Sequence, residues 1–418
     1  MGLKVLILSM LIIAASLTQT GCWDHQEAEG LGIVLATALD QAPEGRVRLT
    51  AQIISPKGLV GGGQVGGGGG AVGGASSPYR NVSVEGSTIF DCIRLLSLES
   101  PRQLFFAHNQ TILISEELAR NRGIEEIIDF FDRNPQIRRS NWVLIAQSDI
   151  SSIMELPGDI TSTPSQRIPA IISEQWLSSY YPDIQLGDFL EALETEGSDA
   201  FAMGIQVVFN ESEVRDKLAK GSSNGDQRQE PVGVLIKVGS TAVFNGNKLA
   251  GWLNEKESRG LLWVTGKVKG GVITVPCRTE NGSREGQRLS LEILRNESKI
   301  EPELIDGELS VTVKIKASTN IQESECMEEL DKPGAISSIE EALAGAIQLE
   351  VEAALAKAQQ EYGSDIFGFG PAVHRKYPGV WKEIKADWQE TYHDLPVYVE
   401  IDTRIARTGL VTKPVQVQ

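Results

Sequence analysis

The chain has 418 residues, an ordinary apolar content of 41% and a formal net charge of −17 at pH 7. A chain of this length and composition is long enough for two or three folded domains with real cores. Its acidic balance argues against nucleic-acid binding, which needs clustered lysine and arginine, and against electrostatic adsorption to anionic lipid. We therefore expect no nucleic-acid partner.

The first 21 residues have the pattern of a bacterial secretory signal. Lys4 precedes an uncharged apolar run over 5–17 that is too short to span a bilayer comfortably. The Gly21–Cys22 junction that follows resembles a lipobox, in which the cysteine sulfur takes a diacylglycerol and the new N-terminus is acylated after cleavage. Gln19 departs from that pattern, which usually has leucine at this position. The alternative is an ordinary signal peptide that is cut elsewhere and leaves Cys22 as a spare thiol.

A lipidated Cys22 would decide the topology of the whole protein. One acyl chain gives only marginal membrane binding, whereas two or three give a stable anchor. The rest of the sequence contains no second apolar run long enough to cross a membrane. We therefore predict a body tethered to the outer face of a cell membrane.

Three cysteines follow Cys22, namely Cys92, Cys277 and Cys326. Because three is an odd number, at least one of these thiols is free or pairs between chains. Cys277 and Cys326 can form a disulfide outside the cell, but the sequence leaves that pairing open. None of the three has the short paired spacing of a zinc site.

The predicted elements of the first half indicate a mixed sheet with helices. Strands are predicted over 31–36, 47–54, 111–114 and 142–146, and helices over 86–98, 116–133, 172–181 and 186–194. The order strand, helix, strand from 111 to 146 is typical of a β-α-β unit. The glycine-rich run at 58–74 lacks the Lys-Ser/Thr of a P-loop, so we interpret it as a flexible surface insertion. A domain boundary is predicted at 197 and 198.

The second half is predicted to be richer in strands. They are predicted over 204–209, 234–238, 241–244, 248–252, 289–300, 303–317 and 397–405. Asn245-Gly246 indicates a hairpin turn, 217–230 is predicted as a surface loop, and Pro302 is expected to lie in extended chain between two strands. Helices are predicted over 255–264 and from a capping box at 338–341 to near Gly363.

Together these elements predict an α+β fold of mixed β-sheets flanked by helices in two to three subdomains. The expected units are the signal peptide at 1–21, an N-terminal domain at 22–197 and a C-terminal domain at 198–418. A further split of the last unit near 290 is the alternative arrangement.

Few motifs in the sequence carry chemistry. The histidines are scattered, at His25, His108, His374 and His393. No Gly-x-Ser-x-Gly elbow and no His-Glu-x-x-His pair occurs. Acid pairs such as Glu255 and Glu257 are expected by chance among 56 acidic residues. We therefore predict no enzyme activity, no catalytic residue, no metal site and no cofactor, and we assign no ligand-binding residue.

Aromatic residues are dense between Phe367 and Tyr392. They either line a ligand groove or pack onto the sheet from a C-terminal helix. Trp381, Ile384 and Trp388 lie at helical spacing, which favours packing.

Four blocks of sequence carry a resemblance to a known family. They are GCWDHQE at 21–27 with LGIV at 31–34, FAHNQTILI at 106–114 with IDFFDRNP at 128–135, AVFNGNKLAGWL at 242–253 with ESRGLLW at 257–263, and DIFGFG at 365–370 with PGVW at 378–381 and Trp388. In order and spacing they resemble the Ger(x)C family, the lipoprotein C subunits of spore nutrient-germinant receptors, over nearly the whole mature chain. The glycine run at 58–74 is an insertion relative to that pattern.

The resemblance implies a function that the residue chemistry does not supply. It implies a protein held by lipidated Cys22 on the outer face of the spore inner membrane, acting with integral-membrane A and B subunits. Such a complex detects nutrients and triggers release of ions and dipicolinic acid. The resemblance also implies an α+β fold in up to three subdomains without established catalytic residues.

Two other classes of protein remain as alternatives on the sequence alone. A lipoprotein solute-binding component of a transporter would share the anchor, but it usually shows repeated β-α units, of which one is evident here. A tethered cell-wall hydrolase would need motifs that this sequence lacks.

Overall fold

A computed structural model describes residues 2–3, 5–7, 9–10, 30–55, 77–156, 163–209, 234–279, 282–326 and 334–407, with the backbone alone at 278–279 and 282–286. Within these residues nine strands form a first sheet and four form a second. This architecture, with helices against both sheets, confirms the predicted α+β class. Among the helices described, none is long and apolar enough to cross a membrane.

The first sheet is mixed, in the order β3-β2-β1-β5-β6-β7-β8-β9, with β4 beside the start of β1. Its strands are β1 (Leu31–Gln41), β2 (Val47–Ile54), β3 (Tyr79–Gly86), β4 (Gln103–Phe105), β5 (Thr111–Ser115), β6 (Trp142–Ala146), β7 (Phe201–Phe209), β8 (Val234–Asn245) and β9 (Lys248–Leu253). The strands β1, β5, β6 and β7 run parallel, with Ala36 opposite Thr111 and Thr111 opposite Trp142. Every residue of β5 is buried, as expected for a central parallel strand covered on both faces.

The second sheet has the order β10-β11-β12-β13. Its strands are β10 (Val272–Thr279), β11 (Gly282–Ile305), β12 (Glu308–Ser324) and β13 (Val397–Arg407). Half-buried and exposed residues alternate along β13, because one face packs on the protein and the other meets water. A disulfide joins Cys277 of β10 to Cys326 after β12, which resolves the pairing that the sequence left open. Among the described cysteines, Cys92 keeps a free, buried thiol.

Eleven α-helices are described. They are α1 (Ile89–Glu99), α2 (Glu116–Asn121), α3 (Glu125–Arg133), α4 (Ile150–Met154), α5 (Pro164–Ser173), α6 (Leu186–Glu194), α7 (Glu255–Val264), α8 (Ala335–Leu355), α9 (Phe369–Lys376), α10 (Pro378–Ile384) and α11 (Trp388–Asp394). Two apolar clusters lie on the faces of the first sheet, and a third lies between the second sheet and α7 and α8. The stripe of α8 buries Leu343, Ile347 and Val351 in that third cluster, each worth about 1.5–3 kcal/mol.

Several predicted elements differ from the structure for local reasons. The helix predicted over 116–133 is broken into α2 and α3 because Gly123 adopts a positive φ of 88° and ends the first helix. The strands predicted at 234–238 and 241–244 form one strand, β8, because a bulge opposite Gly204 absorbs the irregular register. The helix predicted over 172–181 is α5 instead, which begins at Pro164 after a Thr163 cap.

Two further boundaries were also wrong. Pro302 lies within β11, opposite Val311, and the hairpin turn comes at Asp306 and Gly307, which both have positive φ. The long helix begins at Ala335, so the capping box predicted at 338–341 does not open it.

The change from one sheet to the other comes late in the chain. The boundary predicted at 197 and 198 precedes β7, and β7, β8 and β9 still belong to the first sheet. Position 290 lies inside β11. The division into domains stays a prediction, and the loops predicted at 58–74 and 217–230 lie outside the described residues.

Candidate functional site at the junction of the two sheets

The residue predicted to carry the lipid, Cys22, lies outside the described residues with its lipobox neighbours. Lipidation of Cys22 and cleavage after Gly21 therefore stay predictions. The described part of the first motif block, 31–34, forms the start of β1. The other three blocks lie within the described fold.

The second block forms most of β5 with the loop before it, and the end of α3. Thr37 Oγ1 donates to Oδ1 of buried Asn109 at 3.0 Å, and Asn109 Nδ2 donates to the carbonyl of Thr111 at 3.3 Å. These bonds fix the loop that leads into β5 beside β1. Buried Asn109 of this block is therefore used inside the fold.

The third and fourth blocks meet where the two sheets join. We call this region, residues 196–199, 245–246 and 363–370, the junction. The N–H of Asp199 donates to the carbonyl of Asp365 at 3.0 Å, and the N–H of Asp365 donates to Oδ2 of Asp199 at 2.9 Å. Oδ1 of Asp199 accepts a bond from the N–H of Gly246 at 2.9 Å. Asp199 thus ties the start of β7, the β8–β9 turn and the chain after α8 together.

Asp365 is fully buried, and its carboxylate accepts four hydrogen bonds. The N–H groups of Gly368 and Phe369 donate to Oδ1 at 2.9 and 3.0 Å. The N–H of Gly370 and Nε1 of Trp388 donate to Oδ2 at 2.7 and 3.3 Å. An aspartate before a helix satisfies the otherwise unpaired N–H groups of its first turn, here that of α9.

The two aspartates of the junction, Asp199 and Asp365, have raised pKa values. Burial raises the pKa of Asp365 to about 6, against three backbone N–H donors that act to lower it, and the charge of Asp199 adds to the rise. Burial is also the main cause of the raised pKa of Asp199. Perturbed pKa values occur at functional sites and in structural networks alike. Since all four oxygens already accept bonds from the protein, the arrangement is that of a structural network.

The aromatic cluster of the fourth block packs in the core. Trp381, Trp388 and Tyr392 are almost fully buried, with ring centroids 5.2 Å apart in the first pair and 6.2 Å apart in the second. Trp381 Nε1 donates to Glu196 Oε2 at 3.2 Å. Gly197 has a φ of 78°, and a Cβ there would lie 2.2 Å from Cη2 of Trp381. The packing interpretation is confirmed, and the indole of Trp381 fits only because residue 197 is a glycine.

A buried ion pair joins α7 to α8. Arg259 Nε donates to Glu350 Oε2 at 2.8 Å, and Arg259 Nη2 contacts the other carboxylate oxygen. Trp263 Nε1 donates to the same Oε2 at 3.0 Å, and Arg259 Nη1 donates to the carbonyl of Val272 at 2.9 Å. The guanidinium also lies 4.8 Å from the ring centroid of Tyr180, on the side of the first sheet. Burial acts to lower the pKa of Arg259, but the bonds and charge of Glu350 raise it overall.

The other candidate groups have structural partners. Oε1 of Glu255 lies 2.5 Å from Nζ of Lys237 in an ion pair. The carboxylate of Glu257 accepts a hydrogen bond from the N–H of Asn254 and closes the capping box of α7. The ring of His374 stacks on Trp381 at 5.5 Å. Within the part of the chain that is described, no group of three or more His, Cys, Asp or Glu side chains is placed to hold a metal ion.

No sequence motif pointed to Asp199, Arg259 or Glu350 as an individual functional residue. The position of Glu350 is informative in the sequence, because it lies three residues after Ile347 and four before Ala354, on the apolar stripe of α8. An acidic residue on such a stripe indicates a buried partner. Nothing in the sequence distinguishes Asp199 in this way, since acidic residues are common in the loops before strands.

Comparisons with known proteins agree with the motif blocks. The model of a family described as spore germination protein N-terminal domain matches residues 24–207, and that of a family described as spore germination B3/GerAC like, C-terminal, matches residues 239–409. The chain is 26% identical over 414 residues to spore germination protein KC of Bacillus subtilis, covering 99% of this chain and 98% of that one. It is 23% identical over 396 residues to spore germination protein B3 of the same organism, covering 94% and 95%.

A solved structure shares the fold. The crystal structure of the GerBC protein superimposes with a TM-score of 0.53 at 19% identity, covering 89% of this chain and 97% of that one. Both halves of the sequence and the fold lead to one assignment, and the chain belongs to the Ger(x)C family of germinant receptor C subunits.

Proposed function

We propose that this chain is a non-enzymatic, lipid-anchored subunit of a nutrient germinant receptor. It acts with integral-membrane A and B subunits on the outer face of the spore inner membrane. The observation that carries the proposal is family membership over both halves of the chain, joined to a lipobox-like Cys22 after an apolar signal. The anchor, the partners and the location are the parts that go beyond the family assignment.

The disulfide supports an extracytoplasmic location. Disulfides persist in oxidising compartments and are rare in the cytosol. The Cys277–Cys326 bond closes a chain separation of 49 residues within the second sheet. A body exported through the membrane and held outside it would form this bond during folding.

The structural roles of the buried charged residues support a non-enzymatic role. Asp365 and Asp199 use their carboxylates to hold backbone N–H groups, and Arg259 and Glu350 satisfy each other in the interior. A catalytic acid or base needs access to a substrate proton. These groups are instead engaged in joining the two sheets, so we assign them to the scaffold.

Spores that carry Cys22→Ala test the anchor and the germination role together. We expect the protein to be lost from the inner-membrane fraction and the spores to release less dipicolinic acid with particular amino acids or sugars. Gln19→Leu is the matched control, because it restores the usual lipobox residue beside the same cysteine. That variant should stay in the membrane fraction and respond like the wild type.

The outcomes separate the parts of the proposal. A normal response of Cys22→Ala spores, with the protein still in the membrane fraction, would show that a lipid on Cys22 is not what holds the protein at the membrane. Normal germination of a full deletion with every nutrient, in a strain without other C-subunit genes, would refute the receptor role.

A further inference from the structure

Four exposed apolar residues lie in segments that meet at Gly270, two in the 3-10 turn Gln175–Leu177 and two in strands β10 and β11. Trp176 and Leu177 are 52% and 55% exposed, and Val272 and Leu294 are each 45% exposed. We call these four side chains the apolar rim. Exposed apolar residues are ordinary when scattered singly, but a group of them marks a binding surface.

Backbone contacts bring the four residues of the apolar rim together. A Cβ at Gly270 would lie 2.2 Å from the carbonyl oxygen of Trp176, so these two segments touch. In the second sheet Val272 pairs with Glu292, and the N–H of Ile293 donates to the carbonyl of Gly271 at 2.8 Å. Leu294 therefore lies across from Gly270, next to the turn that carries Trp176 and Leu177.

The apolar rim lies at the amino ends of the parallel strands of the first sheet. Trp142, the first residue of β6, donates from Nε1 to Asp183 Oδ1 at 2.9 Å. Lys269 Nζ donates to the other oxygen of Asp183 at 3.2 Å, and Lys269 directly precedes Gly270. Two bonds thus connect the edge of the first sheet to the rim.

The chain leaves the same edge toward Cys22. Since Ala36, Thr111 and Trp142 are in register on parallel strands, Leu31 projects five residues beyond this edge, about 16 Å. Only residues 22–30 separate the start of β1 from the end of the predicted anchor, a span of at most about 30 Å. A lipid on Cys22 would therefore hold this edge of the molecule close to the bilayer.

We propose that the apolar rim contacts the surface of the bilayer in which Cys22 is anchored, with Trp176 and Leu177 in the headgroup region. The inference rests on the proposed function for the lipid on Cys22. Tryptophan is favoured at membrane interfaces because its ring is apolar and its N–H is polar. The rim thus orients the body relative to the membrane, whereas the lipid provides most of the affinity.

The charges around the apolar rim suit a membrane surface better than the protein as a whole does. The net charge of −17 opposes anionic lipid. Next to the rim, however, Lys269 pairs with Asp183 and Arg295 pairs with Glu297, so these four charges cancel in pairs. Apolar contact can therefore be made without local repulsion from anionic headgroups.

A fluorescent label at position 177 tests this orientation in the full, lipidated chain. Leu177→Cys is labelled with an environment-sensitive dye and reconstituted into phosphatidylcholine vesicles, with bromine-containing lipid or aqueous iodide as the quencher. Phe209→Cys is the matched control, since Phe209 is 69% exposed at the carboxyl end of β7, the opposite edge of the first sheet. Labelling of the new thiol is selective, because Cys277 and Cys326 are bonded and Cys92 is buried.

We expect bromine-containing lipid to quench the label at position 177 and not the label at 209. Iodide should quench the label at 177 several-fold less than the label at 209. Equal quenching at the two positions, in protein that floats with the vesicles, would overturn the orientation and leave the proposed function intact. Protein that does not float with the vesicles would overturn the anchor and the orientation together. Shielding of position 177 only when the A and B subunits are present would assign the rim to a protein partner and also overturn the proposal.

Discussion

The buried pair of Arg259 and Glu350 gives the sharpest test of how the interior is held together. The two side chains are 4% and 8% exposed, and the carboxylate also accepts a bond from Trp263 Nε1. Glu350→Ala would leave the guanidinium buried without its counter-charge and the indole N–H without an acceptor. Removing one partner of a buried ion pair costs about 3–5 kcal/mol, because the remaining charge is left without compensation in a poorly solvated place.

The double variant Arg259→Met/Glu350→Met is the matched control. It removes both charges and replaces them with apolar side chains of similar length, which is often nearly neutral for a buried pair. We expect the double variant to recover at least half of the stability lost in Glu350→Ala. Trp263 would still lack an acceptor, so a cost of about 1–3 kcal/mol would remain.

Guanidinium unfolding of the chain without its signal, followed by tryptophan fluorescence with the disulfide intact, measures these differences. The free energy of unfolding falls linearly with denaturant, so a midpoint shift at constant slope gives the loss of stability. A loss of unfolding free energy below about 1 kcal/mol for Glu350→Ala would refute the reasoning, since an unpaired buried charge destabilises a protein by more than that. A double variant as unstable as the single one would also refute it, because the pair would then matter for shape and not for charge.

Three further substitutions test other parts of the structure. The pKa of Asp365 is raised in the folded protein to about 6 from 3.8. The protonated carboxyl group therefore stabilises the folded state, fully below pH 4, and this contribution is lost as the pH rises through about 6. Asp365→Asn should therefore lower the free energy of unfolding by up to about 3 kcal/mol more at pH 4 than at pH 7, and an equal loss at both would contradict this. Gly270→Ala should destabilise the fold by about 1–3 kcal/mol because the new Cβ would lie 2.2 Å from the carbonyl oxygen of Trp176. Gly345→Ala is the control and should not destabilise it, since no atom lies within 4 Å of a Cβ there; thermal melts of both variants measure the difference. Loss of the Cys277–Cys326 bond by Cys277→Ser should cost about 2–4 kcal/mol in the same melts, and an unchanged midpoint would show that the bond does not stabilise the fold.

Sequence patterns located most strands and helices because their signals are local. The buried strand at 111–114, the hairpin turn at Asn245-Gly246 and the helix at 255–264 follow from apolar runs, turn residues and spacing. The errors occurred where a single residue decides between similar alternatives. Gly123 ended a helix whose apolar pattern continues beyond it, and Pro302 was accommodated within a strand instead of ending it.

The candidate site was predictable only as a set of motif blocks. The blocks showed which segments matter, and the spacing of Trp381 and Trp388 indicated a packed cluster. Their partners could not be read from the sequence, since Asp199 and Asp365 are 166 residues apart and Arg259 and Glu350 are 91 apart. Contacts at such separations depend on how the two sheets are placed.

By itself the sequence determined the α+β class, the packed nature of the aromatic segment and the resemblance to the Ger(x)C family. These properties depend on hydrophobic periodicity and on the order of motifs, which are both properties of the linear sequence. Only the tertiary structure decided that β7, β8 and β9 extend the first sheet, that Cys277 pairs with Cys326, and that Gly270 lies against Trp176. These facts depend on strand pairing and on close approach between distant segments. Such contacts are set by the packing of the whole molecule, which no local pattern contains.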